Sequence, residues 1–144
     1  MNIYTIGFTK KSAEQFFTKL CQAGVKRIVD VRLNNVSQLA GFAKKSDLRY
    51  FANKICEIDY IHLPELAPTQ DILDEYKKDK GDWQTYEKKF LELMEKRRVS
   101  ETVPRNLIED SCFLCSEDKP HHCHRRLLAE YLQDKLGNIQ IIHI

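Results

Sequence analysis

The chain has 144 residues, a formal net charge of +2, 42% hydrophobic residues and 31% charged residues. This length and composition are typical of a soluble globular protein, and we expect a single domain over residues 1–144. The small net charge does not by itself indicate a polyanionic partner. No stretch has the pattern of a signal peptide or the roughly 20 apolar residues of a membrane helix, so we expect no membrane partner.

The five cysteines stand at positions 21, 56, 112, 115 and 123. Their odd number and scattered spacing, without an export signal, indicate free thiols in a reducing compartment. We therefore expect a cytoplasmic protein. Cys21 and Cys56 lie beside the apolar stripes of predicted helices, which indicates packing roles.

The first half of the chain alternates strand and helix patterns. Residues 3–8, IYTIGF, are β-branched and apolar and predict a strand. A helix follows, with Ser12 as N-cap, Gln15 completing a capping box and Gly24 at its end. Further apolar patterns predict a strand over 26–32, a helix over 48–55 and a strand over 59–63 that ends at Pro64.

The second half continues this alternation. Amphipathic spacing predicts a long helix over 83–97, a short helix over 104–109, a buried strand over 112–115, a helix over 122–136 and a final strand over 139–144. Strands that alternate with helices form mostly parallel sheets covered on both faces. We therefore predict an α/β, Rossmann-like three-layer sandwich with about five mostly parallel strands in the order 3-2-1-4-5.

Residues with polar, charged or thiol side chains follow the predicted strands. In parallel sheets, ligands bind beyond the carboxyl ends of the strands. The residues that follow these ends are Thr9 after the first strand, Asp30 and Arg32 after the second, Glu65 after the third, and Cys115 and Glu117 after the fourth. This shared edge predicts a functional site.

The segment CSEDKPHHCHRRLLAEYL, residues 115–132, runs from this edge into the last predicted helix. A helix N-terminus carries partial positive charge, so arginine is favourable there only when an anion joins it. Arg125, with Arg32, is therefore a candidate anion ligand. The alternative is that Glu117 and Asp118 simply neutralise the arginines.

The same helix start indicates thiol chemistry. Cys123 lies close to arginine and histidine, which predicts a lowered pKa for its thiol. His124 or His122 would act as general acid or base, and Cys115 would be a resolving thiol. A phosphatase-type loop has arginine six residues after its cysteine, and His121 stands at that distance from Cys115.

A zinc site is the remaining interpretation of this segment. Cys112 and Cys115 form a CxxC pair, but residues three apart on a strand face opposite sides of the sheet. Cys115, Cys123, His121 and His124 could still form a ligand set. We expect neither a metal nor another cofactor.

The motifs YTIGFT, VDVRLNNVSQLAGFAKKSDL, YIHLPEL and CSEDKPHHCHRRLLAEYL resemble the domain of unknown function 488 family. The resemblance spans nearly the whole chain and implies a small bacterial α/β protein of the cytoplasm, with no particular reaction. The positions that match the family pattern are Thr5, Gly7, Asp30, Arg32, Ser37, Phe42, Pro64, Glu65, Cys115, Glu117, Cys123, His124 and Arg125. The chain departs from it at Asn35, Gln38 and Ala67, where proline, arginine and glycine are usual.

The first hypothesis for function is an enzyme that acts on a small anionic substrate, either nucleotide-like or nucleic acid. The candidate catalytic residues are Cys123, His124, Glu117, Cys115 and Glu65, and the candidate anion-binding residues are Arg125, Arg32, Asp30, Thr9 and Ser37. One alternative is a non-catalytic nucleic-acid-binding module that uses the basic residues within 32–49 together with Arg125 and Arg126. Another is a redox sensor in which the thiols of Cys115 and Cys123 pair on oxidation.

Overall fold

Five short apolar segments form one parallel sheet in the computed structural model of the chain, which describes residues 1–36 and 41–144. The strands are β1 (Asn2–Gly7), β2 (Arg27–Asp30), β3 (Asp59–His62), β4 (Ser111–Cys115) and β5 (Gln140–His143). Every strand pair in the described residues is parallel. This arrangement confirms the predicted α/β, Rossmann-like sandwich.

The predicted strand order is wrong at the centre of the sheet. The observed order is β3-β2-β4-β1-β5, so β4 lies between β2 and β1 instead of outside β1. Ser111 at the start of β4 is in register with both Ile3 and Arg27. All five residues of β4 are buried, which suits a central position. The long helical segment before β4 allows the chain to cross back to the centre of the sheet. Local sequence patterns do not indicate where a strand is placed after such a crossing.

Seven α-helices connect the strands in the described residues. They are α1 (Ala13–Ala23), α2 (Lys45–Cys56), α3 (Gln70–Lys77), α4 (Trp83–Lys96), α5 (Val99–Thr102), α6 (Arg105–Ile108) and α7 (His124–Leu136). The capping box of Ser12 and Gln15 is present at the start of α1, and Gly24 ends it with a positive φ of 74°. Helix α3, which Thr69 caps, was not predicted from the sequence.

The helices cover both faces of the sheet. Phe90 on α4 and Leu128 on α7 pack with Phe113 on one face, and Phe16 on α1 and Leu48 on α2 pack together on the other. Because neighbouring strand residues alternate in direction, Cys112 and Cys115 lie in different core clusters. The prediction that these two thiols face opposite sides of β4 is confirmed.

Packing of α1 on α2 brings two distant cysteines together. Cys21 and Cys56 form a disulfide, with their Cα atoms 5.3 Å apart. The expectation of free thiols is therefore wrong for this pair and holds for Cys112, Cys115 and Cys123. The two cysteines are 35 residues apart in the sequence, and only the packing of the two helices places their side chains side by side. The pairing could therefore not be predicted from local patterns.

In the described part of the chain, no helix combines the length and the apolar character needed to cross a bilayer.

Candidate active site

A cleft of about 220 Å³ lies beyond the carboxyl ends of β2 and β4. Its walls come from the segment after β2, from α3 and α4, and from the connection between β4 and α7. Pockets for drug-sized ligands typically measure about 300–1,000 Å³. The cleft is therefore sized for a small ligand or for part of a larger one.

Three side chains that could bind a metal or take part in a reaction lie together in the wall of this cleft. Cys115 is the last residue of β4, Cys123 is the N-cap of α7 and His124 is the first residue of α7. Their ligand atoms all lie within 4.8 Å of one another, and all three side chains are buried. We call these three residues the Cys–Cys–His cluster. The fold thus brings together the cysteines and histidine that the sequence predicted as catalytic.

The orientation of His124 is fixed by the backbone. Its Nε2 lies 2.6 Å from the carbonyl oxygen of Val31, which can only accept a hydrogen bond, so Nε2 donates. The other ring nitrogen, Nδ1, lies 3.6 Å from Cys115 Sγ. A neutral His124 therefore presents the lone pair of Nδ1 to the thiol of Cys115.

The two thiols of the cluster have opposite pKa shifts. The pKa of Cys115 is lowered, first by a hydrogen bond from Cys123 and then by the charge of Arg125 and by backbone N–H groups, against the effect of burial. The pKa of Cys123 is raised well above its usual value, first by burial and then by Cys115. The predicted lowering for Cys123 is wrong in direction, because its burial and its close neighbour outweigh the helix N-terminus.

Arg125 is buried and holds the loop that follows β4. Its Nη1 donates to the carbonyl of Glu117 at 2.5 Å, and its Nη2 donates to the carbonyl of Asp118 at 3.2 Å. Its Nε donates to Thr5 Oγ1, and Nη1 also lies 3.5 Å from Cys123 Sγ. Because all three nitrogens have protein acceptors, this geometry favours a positioning role over direct binding of an anion.

Gly7 makes the close approach of this loop possible. A Cβ atom built on Gly7 would lie 1.6 Å from the carbonyl oxygen of Glu117 and 2.5 Å from its carbonyl carbon. Thr9, two residues on, donates from its hydroxyl to the carbonyl of Ser116. Thr9 is exposed and does not line the cleft, so it anchors the loop from outside.

Asp30 and Arg32 bind each other in the interior. Arg32 donates to the Asp30 carboxylate from Nε and from Nη2, each at 2.8 Å. Tyr60 and Asn35 also donate to Asp30, which is fully buried. Burial and then the adjacent Asp30 raise the pKa of Tyr60, so its hydroxyl stays a donor. Asp30 thus holds Arg32 instead of facing a ligand.

Arg32 also lines the cleft. Its Nη1 is buried and has no hydrogen-bond partner within residues 1–36 and 41–144. A buried N–H group without an acceptor costs about 1–3 kcal/mol, and more when it is charged. The Arg32 side chain thus combines a place in the cleft wall with a buried N–H group that lacks an acceptor among the described residues.

One wall of the cleft is aromatic. Trp83 stacks on His122 with ring centroids 4.8 Å apart, and on Tyr86 with centroids 5.1 Å apart. Tyr76 packs edge-on against Trp83 at 5.5 Å. All four of these residues line the cleft, so this wall is largely aromatic.

Charged groups border the same cleft. Lys77 on α3 forms an ion pair with Glu117 at 3.1 Å, and both side chains are about half exposed. Glu65 is exposed and does not line the cleft, although its carbonyl accepts from Arg97. Ser37 lies outside the described residues, so its predicted role stays a prediction.

The basic residues predicted for a nucleic-acid-binding module lie only partly at the surface, where those within 44–49 are exposed. Arg32 and Arg125 are 3% and 2% exposed, and Arg126 pairs with Glu130 at 2.8 Å. Phosphate-backbone contacts need exposed cations. These three arginines are therefore poorly placed for such contacts.

Comparison with known proteins identifies the family. Residues 12–132 match the family described as domain of unknown function DUF488. The chain belongs to the DUF488 family. This match confirms the resemblance seen in the motifs, and it includes the whole Cys–Cys–His cluster. No curated protein and no solved structure matches this DUF488 chain.

Asn35, where the family resemblance implies a proline, lies inside the buried network. Asn35 Nδ2 donates to the hydroxyl of Tyr60 at 3.1 Å and to Asp30 at 3.4 Å. A proline at this position could make neither hydrogen bond. The asparagine therefore adds donors around the Asp30 carboxylate.

Sequence reasoning missed the aromatic wall. Trp83 and Tyr86 were assigned to the apolar stripe of α4, and Tyr76 lies on a helix that was not predicted. The available signal was the concentration of three aromatic residues within positions 76–86. Without the packing of α3 and α4, that signal did not distinguish a binding wall from core.

Proposed function

We propose that this DUF488 protein is an enzyme that acts on a small nucleotide-like anion in the cleft, with the Cys–Cys–His cluster as its reactive centre. One observation carries the proposal. The cleft joins an aromatic wall, the side chain of Arg32, whose Nη1 has no acceptor among the described residues, and two thiols with an imidazole. A purely structural cluster has no need of such surroundings.

The walls support a substrate with a planar ring and a negative charge. The ring would lie against Trp83 and Tyr76, where base–aromatic stacking contributes about 1–3 kcal/mol per base. The anionic group would accept from Nη1 of Arg32, with Lys77 as a second cation at the border. The volume of about 220 Å³ has room for a small ligand or for one unit of a larger one.

The remaining predicted residues support the reactive centre in this proposal. Glu117 lines the cleft and moves protons. Arg125 and Thr9 position the loop that carries Glu117, and Asp30 positions Arg32. Glu65 does not line the cleft, and we give it no catalytic role.

Fluorescence of the single tryptophan tests the substrate class, because Trp83 lies in the cleft wall. We expect saturable quenching by at least one of the four ribonucleoside 5′-monophosphates. The matching nucleoside and ribose 5-phosphate should each bind about tenfold more weakly or worse, since each lacks one of the two recognised groups. No change with any monophosphate would overturn the proposed substrate class.

Variants of two tyrosines provide the matched comparison. Tyr76→Ala removes part of the aromatic wall and should weaken the quenching ligand about tenfold. Tyr50→Ala removes a tyrosine that is 58% exposed on α2, and it should leave binding unchanged.

For the quenching nucleotide, Cys115→Ser and Cys123→Ser should reduce product formation about 100-fold or more, whereas Cys112→Ser should not.

A thiol redox sensor is the second candidate, because the Cys115 and Cys123 sulfur atoms lie within 4.8 Å. Hydrogen peroxide would oxidise the Cys115 thiolate to a sulfenic acid and release hydroxide. The Cys123 thiol would then displace water to form a disulfide. This candidate predicts a Cys115–Cys123 crosslinked peptide by mass spectrometry after mild peroxide treatment, and intact thiols would exclude it.

We place the enzyme in the cytoplasm on the basis of its three free cysteines and the family resemblance. The Cys21–Cys56 disulfide counts against this location, because disulfides are rare in reducing compartments.

A further inference from the structure

The Cys–Cys–His cluster has the composition of a three-ligand zinc site. Catalytic zinc sites typically combine three protein ligands with one open position, and two cysteines with one histidine is a known set. We propose that Cys115, Cys123 and His124 bind one zinc ion whose fourth position opens into the cleft. The binding of the ion stands apart from the proposed function, whereas its catalytic use rests on that function.

The distances in the cluster agree with tetrahedral coordination. Zinc–sulfur bonds of about 2.3 Å and zinc–nitrogen bonds of about 2.0–2.1 Å place sulfur and nitrogen about 3.5 Å apart at a tetrahedral angle. Cys115 Sγ and His124 Nδ1 are 3.6 Å apart. All three ligand atoms lie within 4.8 Å of one another, so one ion can reach them after small side-chain movements.

The histidine is already held as a metal ligand would be. Zinc-bound histidines almost always donate their other ring N–H to a carbonyl or carboxylate, which fixes the ring and the tautomer. His124 donates from Nε2 to the carbonyl of Val31 and turns Nδ1 toward the sulfur atoms. Phe90 packs against the ring at 5.5 Å and restricts its rotation.

Positive charge lies close to the sulfur atoms of the cluster. Two thiolates would balance the charge of one zinc ion. Arg125 Nη1 lies 3.5 Å from Cys123 Sγ and can support the negative charge on that sulfur. The cluster also sits at the N-terminus of α7, a helix of 13 residues with its partial positive end at Cys123.

The ligand types select the class of metal. Two soft sulfur donors and one imidazole suit zinc and related transition metals, whereas magnesium and calcium need oxygen ligands. The site opens toward the cleft, because all three residues line it. A water molecule on the fourth position would be acidified by the ion, and Glu117 on the same wall would accept its proton.

Metal binding by the full-length chain tests this inference directly. The reduced, metal-free protein is titrated with cobalt(II) and then with zinc(II). We expect one cobalt ion per chain, with the absorption bands of tetrahedral cobalt and of thiolate-to-cobalt charge transfer, and displacement by zinc. Absence of binding, or octahedral cobalt without thiolate bands, would overturn the proposal.

Variants of the ligands and a measurement on the wild-type protein separate a loss of zinc binding from a loss of folding. Cys123→Ser and His124→Asn should weaken zinc binding about 100-fold or more, whereas Cys112→Ser, on the opposite face of β4, should leave it unchanged. X-ray absorption by the zinc-loaded wild-type protein needs no variant. It should show two sulfur and two lighter ligands, and only light-atom ligands would contradict the assignment.

The failure of this inference can be separated from failure of the proposed function. Metal binding is measured without a nucleotide, and Trp83 quenching is measured on metal-free protein. Quenching without zinc binding would overturn the zinc site alone. Zinc binding without quenching by any monophosphate would leave the metal site standing and remove the nucleotide substrate.

Discussion

Replacing Gly7 with alanine should lower the free energy of unfolding by about 3 kcal/mol or more. Gly7 ends β1 beside the loop that follows β4, and an added Cβ would lie 1.6 Å from the carbonyl oxygen of Glu117. Arg125 Nη1, which donates to the same carbonyl, would lie 3.0 Å from that Cβ. The clash is with backbone, so either β1 or the loop must move. Urea denaturation of the variant measures the loss.

Gly41→Ala is the matched control for this substitution. Within residues 1–36 and 41–144, no atom lies within 4 Å of a Cβ built at Gly41, and the φ of Gly41 is not in the left-handed region. Its free energy of unfolding should stay close to that of the wild type. Equal stability of Gly7→Ala and Gly41→Ala would show that the loop does not approach β1 as described.

Asp30→Ala should lower the free energy of unfolding by about 3–5 kcal/mol, because it leaves a buried guanidinium without its partner. Arg32 and Asp30 are 3% and 0% exposed, and two hydrogen bonds of 2.8 Å join them. The hydroxyl of Tyr60 would lose its acceptor as well. Denaturant unfolding followed by circular dichroism measures the change.

Two further variants separate charge from packing. Asp30→Ala combined with Arg32→Met removes both charges and should recover part of the lost stability. Glu95→Ala breaks an ion pair with Lys135 at the surface and should leave stability nearly unchanged. A double variant as unstable as Asp30→Ala alone would contradict the role assigned to the buried pair.

The elements of the fold were accessible from local patterns, but their arrangement was not. The capping box at Ser12 and the apolar run of β4 are written in a few adjacent residues each. The insertion of β4 between β2 and β1 depends on how a long helical segment crosses the sheet. The Cys21–Cys56 disulfide likewise depends on helix packing. Long-range choices of this kind leave no local signal.

The candidate site was likewise predicted only in part. Cys115 was predicted because strand ends share one edge of a parallel sheet, and Cys123 and His124 because they begin the helix that follows this edge. The order of the two thiol pKa values was not predicted. The local rule for a helix N-terminus predicts a lowered pKa for Cys123, whereas its burial and its contact with Cys115, which depend on the folded structure, raise it. The buried environment of Arg125 was equally hidden, because its acceptors are backbone carbonyls of a folded loop.

A crystal structure of the chain with the monophosphate that quenches Trp83 tests the central claim most directly. The account predicts a base stacked in the aromatic wall of the cleft and an anionic oxygen within hydrogen-bond distance of Arg32 Nη1. It also predicts that the reacting part of the ligand faces Cys115, Cys123 and His124. A ligand bound elsewhere on the protein, with the cleft filled only by solvent, would contradict it.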